Sequence, residues 1–313
     1  MIARESTFIM APFQPGLVHV PVTPFKADRS IDFDRFARLI DFHVGSGADA
    51  LALPCHAGES VSLTDEERRA LIAFAVKHLA GRAPVIAHVS DAGTGIAAAL
   101  ARHAEAVGAA AILATTPYYW TPPPEMILEH FAEIGAAVRL PFLVHNAPDE
   151  MAGVKVSAEL MLKLIARLGN FAGLVDASLD WQFMIDLMME ARVARPGFLL
   201  ISGNELMVSP AAIGATAAFA PLAAIAPRLA RALFDLCRGQ KLFEARAVQE
   251  EMAGLHQLLK ASGAAGLKAA LAARDRDCGE PRPPLQGIDP AAKAALARAL
   301  AANAALRDEP RGW

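Results

Sequence analysis

The chain has 313 residues, 54% hydrophobic and 20% charged, with a formal net charge of −3. It is too apolar for a disordered chain and long enough for one large domain, or a domain with an appendage. The near-neutral charge offers no basic face to nucleic acid and no polybasic run to a membrane surface, so neither partner is expected.

The elements follow in chain order. Leu17–Val22 reads as a strand. The helix after it, from about Asp32 to Val44, places Phe33, Phe36, Ile40 and Val44 on one face and is ended by Gly45 and Gly47. A strand at Ala50–Pro54 precedes Thr64-Asp65-Glu66-Glu67, a capping-box opening for a helix that buries Leu71, Phe74, Ala75 and Leu79 and stops at Gly81. Pro84–His88 is a strand, followed by an Ala-rich helix to Val107, and Ala110–Thr115 is the next strand. Pro122-Pro123-Pro124 opens a helix carrying Ile127, Phe131 and Ile134.

Strand Phe142–His145 pairs with a helix over Ala158–Leu168. Strand Phe171–Val175 leads to a helix from Asp180 with Trp181, Met184, Leu187 and Met188 inward. The run Met184, Met188, Met189 reads as helix core. Strand Phe198–Ser202, a helix over Leu206–Ile213, the weak strand Ala215–Phe219 and a helix from Pro221 complete the series. Leu206 to Pro227 is uncharged and long enough to cross a bilayer. Pro210, Pro221 and Pro227 break it, so helix, short strand and new helix are predicted instead.

Eight strand–helix units predict an α/β chain, a (β/α)8 TIM barrel over residues 15–239 with a C-terminal helical region over 240–308. A doubly wound sheet is the alternative, but no Gly-rich fingerprint follows the first strand. Cys55, Cys237 and Cys278 form no disulfide framework or metal knuckle, Cys55 reading as a buried space-filling thiol, and residues 1–16 lack a signal-peptide core. A reducing, cytoplasmic setting is therefore expected.

In such a barrel the chemistry sits at the C-terminal strand ends. There the sequence offers Thr23, Cys55-His56-Ala57-Gly58-Glu59-Ser60, His88, Thr115 to Trp120, His145-Asn146, Asp176, Ser178 and Ser202-Gly203-Asn204-Glu205. Several of these segments resemble the dihydrodipicolinate synthase / N-acetylneuraminate lyase family. Val22-Thr23-Pro24-Phe25 is similar to its first-strand end and Gly58-Glu59-Ser60 to the end of its G-T-T-G-E-S loop. Thr116-Pro117-Tyr118-Tyr119 matches T-P-Y-Y, and His145-Asn146-Ala147-Pro148 stands where the family has Y-N-x-P. Gly173 to Ser178 stands where it has G-x-K-[DE]-[AS]-[ST], Ser202 to Glu205 resembles its S-G-D-[DE] turn, and Arg282-Pro283-Pro284-Leu285 resembles a C-terminal motif.

The resemblance implies a barrel with a helical extension, assembled as a homotetramer or dimer, that holds a 2-oxo acid as a Schiff base on a strand-six lysine. It further implies a proton-relaying strand-five tyrosine, a T-P-Y-Y tyrosine reaching a neighbouring subunit's site, and a loop whose amides and hydroxyls hold a carboxylate. This chain departs from that pattern. Val175 takes the lysine position, His145 the tyrosine position, and His56 and Ala57 replace the threonines. Asp149-Glu150-Met151 replaces the expected arginine, and His88 occupies a glycine region.

The expected protein is a divergent lyase or aldolase-family member acting on a small oxo or hydroxy acid without a lysine Schiff base; the alternative is a non-catalytic metabolite-binding barrel or partner subunit. His145 is the acid–base candidate, with Tyr119, His56 and Asp176 assisting, Asp176 and Glu59 alternatively being loop anchors. Ala57, Gly58, Glu59, Asn204 and Phe219 are the substrate-binding candidates, with the 57–59 amides gripping an anion. Lys155 and Lys26 are remote, solvated substitutes for the missing amine. No cofactor is expected; a divalent metal on His56, His88 and His145 is the lesser alternative.

Overall fold

The structure, a computed structural model, describes residues 13–148 and 154–313. Residues 1–12, and with them most of the segment read above as lacking a signal-peptide core, lie outside the described residues, as do Asp149, Glu150 and Met151.

Eight parallel strands close into a ring in sequence order. They are β1 (Leu17–His19), β2 (Ala50–Leu53), β3 (Val85–His88), β4 (Ala111–Thr115), β5 (Phe142–Asn146), β6 (Phe171–Asp176), β7 (Leu199–Ser202) and β8 (Ala217–Ala220). The ring shuts where β8 pairs with β1, Phe219 standing opposite Val18. This is the (β/α)8 barrel that the alternation of elements predicts.

Successive side chains on a strand point to opposite faces, so each strand splits its residues between the bore and the helices. Val18, Ala52, Ile86, Leu113, Leu143, Val175, Ile201 and Phe219 form one apolar cluster in the bore. Their neighbours Leu51, Ala87, Ile112, Val144, Leu174 and Leu200 pack outward against the helices. Each large aliphatic side chain so buried stabilises the fold by about 1.5–3 kcal/mol.

The helices are α1 (Phe33–Gly45), α2 (Asp65–Leu79), α3 (Thr94–Val107), α4 (Pro124–Ala136), α5 (Ala158–Arg167), α6 (Trp181–Ala194), α7 (Val208–Ile213) and α8 (Pro227–Arg238). Side-chain caps set several of their starts. Asp32 accepts from the Arg35 N–H at 2.9 Å and Asp180 from the Phe183 N–H at 3.1 Å. Thr64 and Glu67 form the predicted capping box.

Four local expectations are corrected. Trp181 is 37% and Met189 70% exposed, because α6 turns Met184, Leu187, Met188 and Ala191 inward. Met189 is one step, about 100°, off that face, and Trp181 stands in the first turn. Ala80, not Gly81, is the left-handed C-cap of α2. Strand β8 begins at Ala217, since the Ala215 N–H still bonds back to the Pro210 carbonyl of α7. Pro221 opens only a 3-10 turn (Pro221–Ala224), and the helix starts at Pro227. No helix among the described residues is long and apolar enough to cross a membrane.

Beyond the barrel, α9 (Leu242–Lys260), α10 (Gly263–Ala273) and α11 (Pro290–Ala302) supply the expected helical region. It shares a continuous core with the barrel, in which Met252, Leu255 and Leu271 join Leu17, Val22 and Leu233. The chain then returns beneath α8. Glu309 accepts from the Arg228 and Leu229 N–H groups at 3.0 and 2.7 Å, capping that helix, while Arg276 donates to the Pro310 and Gly312 carbonyls at 3.0 and 2.9 Å.

Candidate functional site

The C-terminal strand ends form the mouth of the barrel. By alternation from the bore cluster, β3, β4, β5, β6 and β8 turn His88, Thr115, His145, Val175 and Phe219 inward there. Thr115 stands in register with His145, and His145 with Val175. Adjacent strands lie about 4.8 Å apart, so Val175 is the immediate apolar neighbour of His145.

His145 is only 5% exposed, and neither of its ring nitrogens has a hydrogen-bond partner among the described residues. Its ring lies against Phe219, at 6.2 Å between ring centroids. Burial first, and then the neighbouring His56, lower its pKa to about 4. The ring is therefore neutral at pH 7, with one donor and one acceptor available.

His88 is tied into the wall. Its Nε2 lies 2.9 Å from Ser90 Oγ, which also accepts from the Thr115 N–H at 2.8 Å. Ser90 Oγ thus bridges His88 and the β4 backbone, the direction of its bond to Nε2 following the imidazole tautomer. Burial first, then the Arg68 guanidinium and His145, hold the His88 pKa well below its ordinary value. Arg68, itself buried, donates to the Ser90 carbonyl at 2.6 Å and lies 3.6 Å from Asp91. Ser90 and Arg68 escaped the sequence reading; the signal for Ser90 was its place two residues beyond His88.

The turn after β2 is a 3-10 helix, His56–Gly58. His56 is half-buried and close enough to act electrostatically on both His145 and His88. The three imidazoles are thus near enough to feel one another's charge. Among the described residues, no group of three or more His, Cys, Asp or Glu side chains is placed to hold an ion. Two of the three amides expected to grip an anion are already committed. The Gly58 N–H donates to the Cys55 carbonyl at 3.0 Å and the Glu59 N–H to the His56 carbonyl at 2.9 Å. Gly58 is held in place by Thr23, whose Oγ1 donates to its carbonyl at 2.7 Å.

Glu59 faces away from an incoming ligand: its carboxylate accepts from the Arg282 N–H at 2.7 Å and pairs with Lys268. Asp176 does not join the histidines. It follows inward-facing Val175, so it points outward, accepting from Asn146 Nδ2 at 2.6 Å and from Ser178 Oγ at 2.8 Å. Burial raises its pKa, and those hydrogen bonds oppose the rise. Asp176 thereby anchors its loop. Gly203 must be glycine here, because a Cβ would stand 2.6 Å from the Ala177 nitrogen. Asn204 is spent on its own turn, its Oδ1 accepting from the Leu206 N–H at 2.9 Å. Tyr119 is 98% exposed, at the left-handed φ of 89°.

No lysine stands on any barrel strand. Lys155 is exposed, 4.0 Å from Asp180, and Lys26 is exposed. Cys55 is buried in the bore cluster. A cavity of about 730 Å³ lies between Phe25, Lys26 and Arg29 of the β1 loop and Asp277, Glu280 and Leu285 after α10.

Comparison with known proteins agrees with this architecture. The Dihydrodipicolinate synthetase family profile matches residues 14–303. A 4-hydroxy-tetrahydrodipicolinate synthase of Azoarcus sp. (strain BH72) is 35% identical over 78% of this chain and 82% of its own. That of Sphingopyxis alaskensis is 34% identical over 91% of this chain and 97% of its own. The crystal structure of dihydrodipicolinate synthase from Aquifex aeolicus superposes with a TM-score of 0.87 at 28% identity, covering 95% of this chain and all of that one.

Proposed function

Because the chain belongs to the dihydrodipicolinate synthetase family, we propose that it is a lyase acting on a small 2-oxo or 2-hydroxy acid through His145 rather than through a lysine Schiff base. The observation that carries this reading is the state of His145. It is buried and neutral at the mouth, its nitrogens have no partner among the described residues, and it stands beside Val175, which the sequence resemblance puts at the family's lysine position. A Schiff base needs an amine nucleophile, which valine lacks.

An imidazole with so low a pKa is by itself a weak base. A substrate carboxylate arriving beside it favours the charged form and moves the pKa toward neutrality, where proton transfer is most effective. His145 then takes a proton from the substrate hydroxyl or from the carbon next to the carbonyl. It returns that proton to the carbon or oxygen left electron-rich when the C–C or C–O bond breaks. These transfers need no cofactor. His56 assists at the rim, the remaining anion contacts come from the Ala57 end of its turn, and Phe219 walls the site. Tyr119, exposed in the single chain, fits a contact with a second copy, in a dimer or tetramer.

The commitment of Glu59, Asp176 and two turn amides to structural bonds favours a second reading, a barrel that binds such an acid without turnover. Incubation with pyruvate and borohydride followed by intact-mass measurement tests the central claim. No added mass is expected; a stable pyruvyl adduct would overturn it. Turnover of a panel of 2-oxo and 2-hydroxy acids separates the lyase from the binding barrel.

A further inference from the structure

The strands that carry His145 and Phe219 are not neighbours. β5 and β8 stand three places apart around the closed ring, so their side chains meet only by crossing the bore. The two rings nonetheless lie 6.2 Å apart with their planes at 36°. That is within the roughly 4.5–7 Å of ring pairs in contact. The bore around them is lined by Leu113, Leu143, Val175 and Ile201, with alanines at 50, 52 and 217. Those small residues leave room for the phenyl ring. Among the described residues the ring orientation of His145 is set by this packing and not by hydrogen bonds, since neither nitrogen has a partner there.

We infer that Phe219 closes the bore against His145, so that it both positions that ring and restricts the site to oxo and hydroxy acids with short tails. The inference rests on the proposed role of His145 and adds the size class of the substrate. An acid that reaches His145 must share its surface with the phenyl ring, and each added methylene then meets aromatic carbon instead of open space. In a site of fixed shape one methylene commonly changes affinity by about 10-fold or more.

The test uses the full chain with Phe219→Ala and Phe219→Leu. The C2–H resonance of His145 is assigned by its loss in His145→Asn, and melting curves establish that each variant folds. In the native protein the resonance should titrate near pH 4, because burial disfavours the charged ring. Phe219→Ala should move that midpoint upward as water enters, and Phe219→Leu should keep it close to native; an unmoved midpoint in Phe219→Ala overturns the positioning role. Unbranched 2-oxo acids of increasing length are then titrated against the same resonance. Native affinity should fall at least about 10-fold between three and six carbons, and Phe219→Ala should flatten the series to within about 3-fold. A flat native series, or no binding by any acid, overturns the size limit. Length-dependent binding without turnover would leave this inference standing and remove the lyase reading.

Discussion

Lys268 on α10 places its ammonium 2.5 Å from Glu59 Oε1, with side-chain exposures of 2% and 0%. The same ammonium lies 4.1 Å from the centre of the Phe25 ring. This buried pair fastens the helical region to the turn that carries His56, so the shape of the mouth depends on residues outside the barrel. Removing one partner strands the other charge away from water. Glu59→Gln or Lys268→Met should each destabilise the fold by about 3–5 kcal/mol, and Glu59→Met with Lys268→Met should recover much of that. Urea unfolding of the four proteins measures this; single variants within about 1 kcal/mol of native would contradict it.

His145→Gln keeps a polar side chain of similar reach but removes the imidazole. Turnover should fall about 10²–10⁴-fold while the melting temperature stays near native. Steady-state kinetics on an acid that the native protein consumes is the measurement, and an unchanged kcat counts against the acid–base role.

Acid should unfold the protein through its buried histidines. His19 and His43 lie Nδ1 to Nδ1 at 3.1 Å, both buried between β1 and α1. Burial first, then His43 and Arg231, lowers the His19 pKa; burial first, then Arg276, brings His43 to about 3. The unfolded chain thus binds more protons than the folded one below about pH 6.5. Stability is fully present above that pH and is lost as pH falls toward 3, by up to about 1.4 kcal/mol per unit for each histidine. His43→Leu should flatten the slope in that window, as read from melting temperature against pH.

Tyr119 combines near-complete exposure with a left-handed backbone, a conformation that costs a bulky residue about 1–3 kcal/mol and persists only where surroundings enforce it. A second copy is the proposed enforcer. Sedimentation should show a dimer or tetramer, and Tyr119→Gly should weaken that association while leaving the melting temperature of the dissociated chain equal or higher. A native monomer at every concentration would remove this role.

Much of the barrel was legible because its signals are local. Asp32, Thr64 with Glu67, and Asp180 mark helix starts by capping chemistry, and apolar runs mark β2 to β7. The start of β8 is hidden because its alanines carry little β signature, and the inward face of α6 is blurred because Trp181 opens its first turn and Met188 and Met189 are adjacent. At the mouth, His145 and Phe219 were legible as strand-end residues, and strand alternation alone would have set Asp176 on the opposite face from Val175. The pairing of Glu59 with Lys268 and the grip of Arg68 on Ser90 join residues far apart in the chain, and no local pattern encodes them.

The cap on α8 has a consequence for how the molecule is made. The Arg228 N–H is satisfied by a carboxylate 81 residues further along the chain. During synthesis from the N-terminus, α8 therefore emerges with its first turn capped only by water and stays so until Glu309 has been added. The last helix packed on the barrel is completed late, and the growing chain keeps one open seam there, beside β8 and β1, for chaperones or premature partners to find.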